Sequence, residues 1–118
     1  VSTTTTLAEL KKRALQELGV LRLGQDAKAQ DSASIEKSYY EIYEALKEQG
    51  LATWASAGPI PDKIVPHVVA LVAMNRSNTY SISQERLQRI VGMASGAVPG
   101  IRALVTPKGG TQEQPDDF

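Results

Sequence analysis

The amino-acid sequence predicts an all-α fold, a small bundle of three to four helices followed by a flexible extended C-terminal arm. Three observations carry that expectation. Apolar residues recur at spacings of three and four in separate stretches, the period of helices with a buried face. Helix-starting residues precede those stretches, and glycines or prolines follow them. Residues 106–118, in contrast, are rich in Gly, Pro, Gln and acids and have almost nothing to bury, the composition of a segment that does not order alone. With 118 residues the chain supports one domain, assigned here to residues 1–105, with 106–118 as the arm.

After a polar run over residues 1–5, Thr6-Leu7-Ala8-Glu9 reads as a capping box in which Thr6 accepts from the Glu9 amide and Glu9 reaches back. Leu7, Leu10, Ala14 and Leu18 then share one face, with Lys11, Lys12 and Gln16 turned away and Gly19 as the stop. Residues 20–26 have no sustained period and read as a connector whose Val20, Leu21 and Leu23 plug into the core. Asp31 or Ser32 caps the second helix, where Ile35, Tyr39, Ile42 and Leu46 follow four-three-four spacing up to Gly50. Its opposite face, with Glu36, Lys37, Glu41, Glu44, Lys47 and Glu48, is expected to be solvated.

After Leu51-Ala52-Thr53-Trp54, the residues Gly58, Pro59 and Pro61 break regular structure and make 55–61 an ordered loop. Asp62 is the expected N-cap of a third helix, with Pro66 in its first turn, where a missing amide does little harm. Ile64, Val65, Val68, Val69, Leu71 and Val72 make this helix apolar on nearly every side, which places it at the centre of the bundle. Ser81-Ile82-Ser83-Gln84 reads as a second capping box before Leu87, Ile90, Val91 and Ala94, and this fourth helix ends near Gly96 to Pro99. Ile101, Ala103, Leu104 and Val105 leave room for a short extended piece.

The same residues restrict chemistry. Thirteen basic residues balance thirteen acidic ones, so no global field draws the chain onto phosphate or an anionic membrane. The absence of cysteine excludes disulfides, thiolate metal sites and thiol nucleophiles, and leaves the redox compartment open. The longest apolar stretch, Ile64 to Met74, is interrupted by Pro66 and His67 and falls short of the roughly 20 residues that span a bilayer. The opening residues lack the basic and apolar blocks of an export signal. A single histidine, His67, excludes His-based triads and metal sites with two histidines, and is read as a packed side chain.

Glu41, Glu44 and Glu48 have the spacing of a solvated face and not of a desolvated lytic pair. The glycines from Gly92 to Gly100 lack the strand and the Lys-Ser/Thr of a phosphate loop, so they read as helix termination. Arg86, Arg89 and Arg102 form a modest basic cluster near the fourth helix. Tyr39 and Tyr43 share a face, with Tyr40 to one side, and core packing is favoured for them over an interface hot spot. The expectation is a protein that binds other proteins without catalysis, cofactor or metal.

The order Leu18-Gly19-Val20, Gly24-Gln25-Asp26, Tyr39-Tyr40-x-x-Tyr43-x-x-Leu46-x-x-x-Gly50-Leu51-Ala52-Thr53-Trp54 and Ile60-Pro61-Asp62 before a Val/Ala-rich helix resembles the head-to-tail adaptors of tailed bacteriophages. These are also called connector, head completion or packaged-DNA-stabilising tail accessory proteins. The resemblance spans roughly residues 7–95 and rests on packing and turn residues. It implies a structural virion protein at the head–tail interface, assembled in the host cytoplasm. Such subunits form a ring of twelve below the portal protein, extend the channel through which DNA passes without sequence-specific binding, and receive a downstream tail or nozzle protein, with no membrane involved.

On this reading Leu104, Val105, Pro107, Pro115 and Phe118 belong to a portal-binding arm, and Tyr40, Tyr43 and Trp54 are candidate contacts between subunits. Two alternatives stand beside it. One is a peptidoglycan-degrading tail accessory enzyme, since some podoviral relatives have been linked to cell-wall lysis; the other is a small helical nucleic-acid-binding protein built on the arginine cluster.

Overall fold

The computed structural model describes residues 4–22, 25 and 27–105. It is an all-α bundle of four longer helices and one short one: α1 (Leu7–Glu17), α2 (Ala29–Glu48), α3 (Val65–Asn75), α4 (Gln84–Ser95) and α5 (Ala97–Val105). A two-residue antiparallel pair, β1 (Thr4–Thr5) with β2 (Ile60–Pro61), ties the polar run before α1 to the loop before α3. That pairing has no sequence signal, and the hydroxyl of Thr5 adds a 2.6 Å bond to Asp62. Leu23, Gly24 and Asp26, together with the arm, lie outside the described residues.

Glycine caps set the ends of the first two helices. Gly19 has φ of +79° and Gly50 +75°, left-handed values that cost other residues a Cβ clash. Around each, the two bonds of a Schellman motif form: the amides of Gly19 and Val20 donate to Gln16 and Leu15 at 3.0 Å, and those of Gly50 and Leu51 to Lys47 and Leu46 at 2.9 and 2.8 Å. Leu51 then enters the core directly after the turn.

Helices α1 and α4 start on local side-chain caps, whereas the acids expected to cap α2 and α3 are engaged by tertiary partners. Thr6 caps α1 as expected, accepting the Glu9 amide at 3.2 Å. Helix α2 begins earlier than expected: Lys28 occupies the cap without a side-chain bond, and Asp31 falls in the first turn, where it accepts the Tyr80 hydroxyl at 3.3 Å. A carboxylate there also faces the positive end of the helix dipole. Asp62 does not cap α3, because its carboxylate holds Thr5; Ile64 stands at the cap, and Pro66 is in the first turn as expected. Ser83, not Ser81, caps α4, its hydroxyl accepting the Arg86 amide at 3.2 Å.

The piece expected to be extended after Gly96 is helical. Pro99 falls in the first turn of α5, where its missing amide costs no intrahelical bond, and Ala97 and Ile101, four apart, are buried on one face. Helix α3 is central, packing against α1, α2, α4 and α5 and burying Val65, Val68, Val69, Ala70, Val72 and Ala73. Of the residues assigned to the core face of α4, Ile90 is fully buried while Val91 is 40% exposed.

Candidate functional site

The aromatic residues that the sequence sets apart meet beneath the loop after α2. Tyr39 and Tyr43, one turn apart, point to the same side, and Trp54 arrives from the loop, its ring centroid 5.7 Å from Tyr43 at an edge-on angle of 71°. The Trp54 indole donates to the Tyr39 hydroxyl at 2.8 Å, and the Tyr43 hydroxyl donates to the Trp54 carbonyl at 2.6 Å. Burial pushes the Tyr39 hydroxyl above its ordinary pKa, opposed by the indole bond and reinforced by the neighbouring Tyr43 and Tyr40. Tyr43 and Trp54 are therefore buried inside the bundle, and of the three candidate contact residues Tyr40 is the one that is partly exposed. Tyr40 stacks edge-on to Tyr39 with centroids 5.3 Å apart.

A second polar node joins α2 to α3. Ser38, fully buried, donates to Asn75 at 2.8 Å, and Arg76 donates to the Ser34 carbonyl at 3.1 Å while approaching Glu41 at 3.7 Å. Tyr80 lies over the same end of α2, and burial raises its hydroxyl pKa, with a lowering bond from Ser34 and a raising charge from Asp31. Glu41 is thus engaged in a structural pair, and Glu44 and Glu48 are exposed. The acids of α2 do not share a desolvated cleft, which a lytic pair requires.

The arginine cluster is divided by its partners. Arg86 donates to the Glu17 carbonyl at the end of α1 at 3.0 Å, and its guanidinium lies against Gly19, where a Cβ would meet Nε at 2.9 Å. One guanidinium nitrogen of Arg89 donates to both oxygens of the Glu17 carboxylate. Arg102 reaches the other way, to Gln49 at 3.3 Å. Two of the three charges are committed to fastening α4 onto α1, and the third reaches the end of α2.

His67 packs α3 on α5. A Cβ on Gly100 would lie 2.5 Å from its Cε1, so the imidazole fills the space a side chain would need. The glycine inside α5 serves close helix approach, and His67 has the packing role expected of it. Among the described residues no three His, Asp or Glu side chains assemble as a metal site, and no helix is long and apolar enough to cross a membrane. Of the arm residues, Leu104 is 46% exposed at the end of α5 and Val105 packs on the core; Pro107, Pro115 and Phe118 lie outside the described residues.

One surface feature escaped the sequence. A shallow groove runs between α1, α3 and α4, floored by Pro66, Val69 and Met93, with His67 and Gly96 at one end and Arg13 at the other. Met93 is 39% exposed there. The only signal in the sequence was a second apolar residue type on α4, out of step with Leu87, Ile90 and Ala94. Compared with family models, with curated proteins and with solved structures, the chain matches none.

Proposed function

We propose that the chain is a structural subunit of a tailed-phage head-to-tail adaptor, a ring member that binds the portal protein, extends the DNA channel and offers its lower face to the next tail component. The observation that carries this reading is where the resembling residues lie. Tyr39, Tyr43, Leu46, Gly50, Leu51 and Trp54 form one hydrogen-bonded and packed unit that fixes the loop after α2 on the bundle. A motif of packing and turn residues is then the signature of a fold-defining corner, as expected of a subunit whose role is shape. Tyr40 is the surface aromatic assigned to contact between neighbouring subunits.

Light-scattering mass of the full chain, alone and mixed with the portal ring from the same source, tests the proposal. A complex carrying about one copy per portal subunit is the expected result. A folded chain that leaves the portal unaltered overturns the adaptor reading.

A further inference from the structure

We propose that the α1–α3–α4 groove is the docking site of the chain's own segment Pro115-Asp116-Asp117-Phe118. The groove offers an apolar floor of Pro66, Val69 and Met93 with a cation at its rim. Arg13 is exposed and, among the described residues, makes no hydrogen bond or ion pair. Glu17, the acid beside it, is already neutralised by Arg89. A fitting occupant therefore carries one large apolar side chain next to carboxylates. The segment after Val105 has this chemistry: one lysine against three acids, with Asp116 and Asp117 directly before the only phenylalanine of the chain.

The connection is long enough. Helix α5 begins at Ala97, next to Gly96 at the end of the groove, and its nine residues span about 13 Å at 1.5 Å per residue. Thirteen residues follow Val105, with a reach of roughly 43 Å when extended. Pro107 and Gly109-Gly110 supply turn chemistry for reversing direction. A tether of this length holds the segment at an effective concentration on the order of millimolar, which favours the chain's own groove over that of a second copy in dilute solution. Phe118 then lies on the thioether of Met93, a favourable sulfur–aromatic contact, and Asp116 or Asp117 faces Arg13.

The docking requires no portal, and because the adaptor reading gives Pro115 and Phe118 to the portal-binding arm, it describes the chain free of its portal. Its test uses the two methionines, whose labelled methyl groups give two resonances in the full chain. Phe118→Ala should move the Met93 resonance by removing a ring current, and leave that of Met74, five residues beyond Val69 on α3, in place as the internal control. Arg13→Glu should reduce the Phe118-dependent shift several-fold, and adding Asp116→Arg with Asp117→Arg should restore it. A Met93 resonance indifferent to Phe118 overturns the proposal. A Phe118-dependent shift that vanishes on dilution also overturns it, assigning the groove to the segment of a second copy.

Discussion

Around Trp54 the bundle is closed by large rings joined through hydrogen bonds, whereas along α4 and α5 it is closed by Ile90, Ala97 and Ile101 and by groups that reach across from other helices. The first region buries Tyr39, Tyr43, Leu46, Leu51 and Trp54 within a short span of chain. The second leaves Val91, Met93 and Leu104 in contact with solvent. A region of large buried side chains owes its stability to area removed from water, while one with few plugs depends on each crossing contact. The difference assigns the rigid scaffold to α1, α2 and α3, and the adjustable surface to α4 and α5.

The largest expected effect is therefore Trp54→Ala. Truncating a buried indole creates a cavity and removes the donor to the Tyr39 hydroxyl, while the backbone carbonyl that Tyr43 donates to remains, and should cost about 3–5 kcal/mol, read as a lower urea midpoint for the whole bundle. A loss confined to the loop, with the helical signal retaining its midpoint, would break the assignment of the scaffold to this corner. Next in size is Gly100→Ala, which favours helix locally but places a methyl 2.5 Å from the His67 ring. Overpacking of this kind costs about 1–3 kcal/mol, and here it should speed amide exchange in α5 more than in α2. His67→Ala in the same chain should recover much of that loss, because it vacates the space the methyl needs.

These contacts also explain what the sequence could disclose. Thr6, Gly19 and Gly50 were legible because their partners lie within five residues and the chemistry is local. The central place of α3 was legible because a helix apolar on nearly all sides has to be surrounded. The starts of α2 and α3 were not, since Asp31 and Asp62 are drawn to Tyr80 and Thr5, 49 and 57 residues away, while that of α4 rests on a local bond and lies two residues past Ser81. Pro99 and Gly100 read as breakers, yet one tolerates a first turn and the other makes room for His67. The arginines looked like a cluster because a linear reading omits Glu17, whose carbonyl is 69 residues from Arg86 and whose carboxylate is 72 from Arg89. The groove was hidden for the same reason: its walls come from three helices and none has a periodic signature of its own.

Two small substitutions at the α1–α4 contact separate the backbone cap from the ion pair. Arg86 donates to the last carbonyl of α1, where the helix dipole is negative, from a partly buried position across Gly19. A bond from a charged donor to such an acceptor is worth about 1.5 kcal/mol at the lower end of its range, so Arg86→Ala should shift the urea midpoint measurably and do so at high salt as well. Glu17→Gln leaves that carbonyl bond intact and removes only the carboxylate opposite Arg89, whose side chain is 59% exposed. An exposed pair contributes about 0.2–1 kcal/mol and is screened as the Debye length falls. The Glu17→Gln effect should therefore be the smaller of the two and fade between low and molar salt. If it instead matched Arg86→Ala and persisted in salt, the carboxylate and not the cap would be what fastens α4 to α1, and the weak region would depend on charge more than on helix-end geometry.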